Sequence, residues 1–365
     1  MTISSPTLLV DRDRCIRNIR SMKKKADRAG LELRPHFKTH QSADIARWFR
    51  NEGVQGATVS SPGMAAYFID HGWDDLTLAI PFNIRSTELI NELNRKAAIR
   101  LLVSDEYTIH HLHRNLESTV EIYIEIDSGG GRTGIAANDL DALDRMIELS
   151  MKPGMVDFRG FYSHPGHSYG ARSESEILAI HEQVLQSMQE LKDRYGTSGR
   201  PLFVCIGDTP CCSAAEQFNG IDELSPGNFV FYDLMQVQIG ACRIDDIALA
   251  LVCPIIHKSK RRNELVVHAG AVHLSKENLQ EDETSHYGLP VELNLDYQWG
   301  EPLKGSRVSA LSQEHGTIAC SKEVFEHYEV GDLIGILPVH SCLTADLMGG
   351  YVDRSGNRLN HVRSC

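Results

Sequence analysis

LELRPHFKTHQSADIARWFRNEG, residues 31–53, changes its hydrophobic period part-way along. A short β-rich run, LELRPHF, gives way after Lys38 to an amphipathic segment closed by Gly53, which reads as strand, connection and helix. The same unit recurs. TLLVD (7–11) precedes RDRCIRNIRSMKKKADRAG, GATVS (56–60) precedes PGMAAYFIDHG, LTLAIP (76–81) precedes STELINELNRKA, and IRLLVS (99–104) precedes EYTIHHLHRNL. VEIYIEID (120–127), FRGFYSH (158–164) and PLFVCIG (201–207) each lead into a further segment of helical period, the last ending near Gly220. Eight such units in about 220 residues match the size of a (β/α)8 barrel.

After residue 235 the texture changes to VQIGACRIDDIALALVCPIIH, ELVVHAGAVHL, GTIACS and GDLIGILPVHSCL, strands and turns without a convincing helix. The reading is therefore a barrel over 7–235 and an all-β domain over 236–365, with residues 1–6 able to join the second. No repeat, low-complexity tract or long linker separates them.

Composition narrows the function classes. Forty-nine acidic side chains against 37 lysines and arginines give a formal charge of −12, which argues against a sequence-independent grip on nucleic acid or an anionic membrane. No run approaches the roughly 18 apolar residues of a membrane helix, and MTISSPTLLVD lacks the basic and apolar regions of a signal peptide, so a cytoplasmic protein with a small-molecule partner is expected. Nine scattered cysteines without a C-x-x-C pair argue against a disulfide framework; adjacent Cys211 and Cys212 read as small buried side chains.

In such a barrel the functional groups sit at the carboxyl ends of the strands, where Lys38 falls. A partly desolvated lysine there suits covalent catalysis, and a lysine with a buried stem and a wetted head suits the same position. Arg132 follows a glycine-rich strand end, DSGGGRTG, and Tyr162, His164 and Tyr169 lie in FYSHPGHSYG. Histidine is a ready acid–base group near neutrality. In PVHSCLTAD, read as a strand, His340 and Cys342 would share one face and present an imidazole beside a thiolate, half of a zinc-type site, with Asp346 a lesser candidate. The histidines at 111–113 lie on a helical pattern and read as solvent-facing.

Seven motifs in order, TLLVD, FKTH, EIDSGGGRTGI, GFYSH, IGDTP, ELSPGNFVFYD and PVHSCLT, resemble the D-serine dehydratase and D-threonine aldolase family, pyridoxal-phosphate enzymes of fold type III with an alanine-racemase-like barrel. The resemblance spans essentially the whole chain. It implies that Lys38 holds the cofactor, that Arg132 approaches its ring oxygen, and that Tyr162, His164 and Tyr169 line it, with His164 the acid–base candidate. It further implies that Gly207, Asp208, Thr209 and Gly227 hold the phosphate, and that His340 and Cys342 bind a divalent metal, zinc, manganese or cobalt. Asp208 departs from the family pattern, since a carboxylate repels phosphate; capping the following helix is the preferred role for it. The implied activity is a lyase reaction on a D-3-hydroxy amino acid, either aldol cleavage or dehydration, in a homodimer. An amino-acid racemase and a non-catalytic pyridoxal-phosphate-binding protein are the alternatives.

Overall fold

A computed structural model describes residues 1–196, 201–281 and 284–364. It divides into two compact units, one of residues 20–38 and 49–227, the other of residues 1–19, 39–48 and 228–365.

The first unit is the barrel. Its strands are Glu32–Leu33, Ala57–Val59, Asp75–Pro81, Ala98–Val103, Val120–Asp127, Val156–Ser163, Phe203–Ile206 and Glu223–Leu224. All neighbouring pairs are parallel, and a bridge from His36 to Thr58 closes the ring. Helices between the strands begin on side-chain caps: Ser61 accepts from Met64 N, Asp105 from Thr108 N, and Ser173 from Glu176 N. Alternation sends Ile122, Ile124 and Ile126 to one face of their strand and Glu121, Tyr123 and Glu125 to the other.

That polar face meets charges from neighbouring strands. Near the amino ends, Asp75, Arg100, Glu121, Arg159, Glu223 and Arg34 form a closed ring of alternating sign, each touching the next. The Tyr123 hydroxyl lies inside it, accepting from Arg159 Nε at 2.8 Å and donating to Glu223 at 2.8 Å. A barrel interior more often filled with branched apolar side chains is here partly ionic.

The second unit is mostly β. One connected sheet runs Trp299–Pro302, Gly288–Leu293, Leu333–Pro338, Leu249–Ser259, Thr7–Val10, Tyr351–Asp353, Arg358–Leu359. The long strand Leu249–Ser259 also pairs with Glu264–His268 beyond an irregularity between Ile255 and His257, which extends the sheet to His315–Ala319 and Arg307–Leu311.

Three sequence readings need correcting. TLLV does not open the barrel: Thr7–Val10 lies between Leu249–Ser259 and Tyr351–Asp353 in the second unit. An apolar run of four suits either sheet, and the real eighth barrel strand, Glu223–Leu224, is too short to show a period. Second, the β-rich unit does contain helices, among them Lys322–His327 and Ser341–Met348. SCLTADLM carries good helix formers, and Gly349 ends it in the left-handed region at φ 59°. Third, His111 and His113 are half-buried rather than solvent-facing, bonding Thr87 Oγ1 at 2.9 Å and Leu149 O at 3.2 Å. Every cysteine among the described residues is a free thiol, with Cys211 and Cys212 buried. No helix among them is long and apolar enough to cross a membrane.

Candidate active site

Lys38 lies in a one-turn helix, Phe37–Thr39, just past a barrel strand. Phe37 anchors that turn, its ring 4.8–5.4 Å from those of Trp73, Phe68 and Phe49. Lys38 itself is exposed between two fully buried neighbours, so the partial desolvation expected from its strand-end position is not found. The anchored turn holds the backbone and leaves the amine accessible.

His164 follows the strand Val156–Ser163, and its Nδ1 donates to Gly207 O. Burial, reinforced by the charge on Lys38, lowers its pKa to about 4. The imidazole is therefore neutral near pH 7, with the proton on Nδ1 and Nε2 bare.

Gly207 ends the next strand in a crowded position. A Cβ there would lie 2.7 Å from Ser225 O and 2.8 Å from the Tyr162 hydroxyl. Tyr162 is buried, and its hydroxyl bonds Ser225 beneath this turn. Asp208 caps the helix Thr209–Ala214, accepting from Cys211 N at 2.9 Å and from Ser168 Oγ at 2.7 Å. Thr209 Oγ1 is buried with no partner, and Thr209 N lies 3.4 Å from the Tyr169 hydroxyl. An orphaned hydroxyl beside a glycine that admits close approach fits a phosphate. Gly227 is half-buried beyond the Glu223–Leu224 strand.

Arg132 is exposed on the loop after Val120–Asp127. Asp127 gathers that loop by accepting from Gly129 N at 2.9 Å and Gly131 N at 3.1 Å, and Thr133 donates to Glu125 at 2.8 Å. The charge on Arg132 is felt by both Glu125 and His164, acting to lower the pKa of each.

In the second unit His340 is the N-cap residue of Ser341–Met348 and Cys342 stands in its first turn, so the two are side by side at a helix start rather than along a strand. Their side chains are hydrogen-bonded to one another. Burial would lower the His340 pKa, but bonds to Cys342 and Glu277 outweigh it and push it up to about 11. Burial likewise raises the Cys342 thiol, and His340 reverses this and holds it below its ordinary value.

Three residues missed in the sequence surround the sulfur. The Thr39 hydroxyl lies 3.4 Å from Cys342 Sγ, and Asn228 Nδ2 donates to it at 3.5 Å. Asp233, 1% exposed, accepts from Asn228 at 2.6 Å and from Ser341 N at 2.9 Å. Thr39 directly follows Lys38 in the chain. The YDLMQ run could have revealed Asp233, a carboxylate three residues before the Gln236 amide it caps; Asn228 carries no comparable signal. Asp346 is engaged elsewhere, by Gln41 at 2.9 Å and Arg363 at 2.7 Å.

Among the described residues no group of three or more His, Cys, Asp and Glu side chains is arranged to hold a metal. A two-ligand imidazole and thiolate set still suits zinc or cobalt, provided water or substrate completes the coordination.

A model described as the alanine racemase N-terminal domain matches residues 10–234, and one described as a putative serine dehydratase domain matches 248–352. The chain belongs to the D-serine dehydratase and D-threonine aldolase family. Within the family it is 27% identical over 361 residues to the D-threo-3-hydroxyaspartate dehydratase of Delftia sp. (strain HT23), covering 96% of this chain and 94% of that one. It is 28% identical over 385 residues to the D-serine dehydratase of Dictyostelium discoideum, covering 96% and 93%. The solved structure of the Delftia enzyme superposes with a TM-score of 0.89 at 26% identity, over 99% of this chain and 98% of that one. Solved forms of that enzyme include a histidine-to-alanine mutant and a metal-free cysteine-to-alanine mutant, the two substituted positions two residues apart.

Proposed function

We propose that this protein is a pyridoxal-phosphate- and divalent-metal-dependent lyase that dehydrates a D-3-hydroxy amino acid to a keto acid and ammonia. The observation that carries the reading is the His340–Cys342 pair, whose side chains are hydrogen-bonded to one another and stand two residues apart, the spacing of the positions substituted in D-threo-3-hydroxyaspartate dehydratase. A racemase has no use for it. Dehydration is taken over aldol cleavage because two dehydratase relatives reach 27–28% identity, although other dehydratases, at 21–24%, overlap the aldolases, at 22–23%.

Bound pyridoxal phosphate supplies an electron sink, and the metal supplies a Lewis acid for the β-hydroxyl. The protein's own residues do the rest. Lys38 presents an accessible amine on an anchored turn for covalent attachment of the cofactor. Gly207, Thr209, Tyr169 and Gly227 would hold the phosphate, and Arg132 would supply a positive charge to the cofactor ring. His164 stays neutral and oriented by Gly207 O, so its Nε2 takes a proton without first having to lose one. The α C–H bond breaks with its proton going to a base of the protein. The β C–O bond breaks as the hydroxyl takes up one proton from the protein and leaves as water; the enamine released shifts a proton to carbon to become an imine, and water adds to that imine to give keto acid and ammonia.

The test is a panel of D-serine, D-threonine and D-3-hydroxyaspartate incubated with enzyme, pyridoxal phosphate and zinc. A keto acid and ammonia support the reading. Glycine and an aldehyde assign the aldolase, and racemised substrate alone overturns both. A cytoplasmic homodimer is the expected state, and an active monomer in light scattering refutes the dimer.

A further inference from the structure

The polar run SKENLQED, residues 275–282, contributes nothing to the motifs above, yet it sends one side chain to the candidate metal pair. Glu277 Oε2 lies 2.7 Å from His340 Nδ1. The bond is locally supported. The short helix Ala271–Leu274 ends at Ser275, which takes the left-handed conformation at φ 69°, uncommon for a residue with a side chain. From that turn Ser275 Oγ accepts from Glu277 N at 3.2 Å, which fixes the backbone that carries the carboxylate.

We infer that Glu277 is a positioning residue for the metal: by accepting the Nδ1 proton of His340 it fixes the tautomer, turns Nε2 toward Cys342, and raises the basicity of that nitrogen as a ligand. The inference rests on the metal reading of His340 and Cys342 given above. The physical grounds are on the two sides of the ring. A neutral imidazole has one N–H and one lone pair, so a carboxylate at Nδ1 leaves the lone pair at Nε2. The Cys342 sulfur is held in place by Thr39 and Asn228, whereas the acceptor at Nδ1 comes from Glu277. A carboxylate behind a metal-bound histidine contributes to affinity through the ring rather than by direct ligation, and its loss typically costs about 10–100-fold in metal affinity.

The Glu277 side chain is 42% exposed and belongs to no packed core, so its replacement leaves the fold standing. Zinc affinity is measured on the full-length protein by competition with a chelating indicator, for wild type and for Glu277→Ala, Glu277→Gln and His340→Ala. The same proteins are loaded with cobalt(II) and their visible spectra recorded, without substrate. Expected are zinc binding weakened about 10–100-fold in Glu277→Ala, a smaller loss in Glu277→Gln because its amide oxygen still accepts Nδ1–H, and a shift in the cobalt ligand-field bands. The sulfur-to-cobalt charge-transfer band stays, since Cys342 is untouched. Thermal midpoints equal to wild type exclude a merely structural effect. Wild-type zinc affinity and an unchanged cobalt spectrum in Glu277→Ala, with His340→Ala strongly impaired, overturn the role of Glu277 and leave the metal reading intact. Wild type and His340→Ala binding zinc equally weakly overturn the metal reading, and the inference with it.

Discussion

The wholly buried Arg34 guanidinium grips the Asp75 carboxylate with both amino groups, Nη1 to Oδ1 at 3.0 Å and Nη2 to Oδ2 at 2.6 Å. This bidentate pair is one link of the charge ring near the amino ends of the barrel strands. Removing Arg34 leaves Asp75, 28% exposed, with Arg100 as its one basic neighbour in the ring and the buried Glu223 with Arg159 as its own, a loss that stays below the ~3–5 kcal/mol of a fully buried broken pair. Arg34→Met is therefore expected to lower the urea midpoint. Burial raises the Asp75 pKa, but Arg34 overcomes it and leaves the carboxyl below its ordinary range. The folded pKa thus lies below the unfolded one, so this stabilisation is full above about pH 4 and is lost as the pH falls through the folded value. Urea titrations of wild type and Arg34→Met from pH 7 to pH 3 check both statements; equal midpoints at pH 7 would refute them.

A second acid-sensitive set lies at higher pH. Burial lowers the pKa of His40 to about 3 and those of His164 and His361 to about 4, in His40 with help from the charge of His361 and in His164 from Lys38. Unfolded histidine takes up a proton near pH 6.5 while these stay neutral in the fold. The unfolded state then binds more protons, so stability falls as the pH drops from about 6.5 toward 4. Replacing His361 by Gln should flatten that slope. Parallel curves for wild type and variant between pH 7 and pH 4.5 would show that His361 takes no part.

The barrel was legible because a change of period from strand to helix is a local signal repeated along the chain, and the same signal gave the place of Lys38 just past a barrel strand. What stayed hidden is non-local or short. Glu223 pairs with Arg159 at 2.9 Å across 64 residues, from a two-residue strand with no period of its own. TLLV carries the same apolar signal in either sheet, and only its partners Leu249–Ser259 and Tyr351–Asp353 decide its place. His340 and Cys342 were found at the right spacing for the wrong reason: an i, i+2 pair shares a face in a strand, whereas here a helix start brings the two side chains together.

The phosphate cradle gives a third expectation. Thr209 Oγ1 is buried without a partner in the chain, and the proposed function assigns it one on the cofactor phosphate. Thr209→Val keeps the shape and removes the hydroxyl. A hydrogen bond to a charged group is worth about 1.5–3 kcal/mol, roughly ten- to hundredfold in dissociation constant. Fluorescence titration of the apoprotein with pyridoxal phosphate measures it. An unchanged constant places the phosphate elsewhere.

Lys38 is exposed among buried neighbours, which makes Lys38→Ala a mild change for the fold and a decisive one for cofactor attachment. Borohydride reduction of the wild type followed by peptide mapping should fix the cofactor on the peptide that contains residue 38. The variant should keep its thermal midpoint without cofactor and acquire no label. A label on any other lysine removes Lys38 from its assigned role.

His340 and Cys342 divide the lyase from the racemase. Both belong to the mostly β unit, whereas Lys38 belongs to the barrel unit, so the two functions should be separable by mutation. His340→Ala and Cys342→Ala are expected to lose keto-acid production while the visible absorbance of cofactor attached to Lys38 persists. A chelator should reproduce this in the wild type. Adding zinc, manganese or cobalt should then restore the wild type and leave the variants inactive, because their missing ligand is a side chain. A metal that merely braced the fold would behave differently, its removal lowering the thermal midpoint along with activity. Full keto-acid production by both alanine variants in the presence of chelator would abolish the metal site and bring the racemase reading forward.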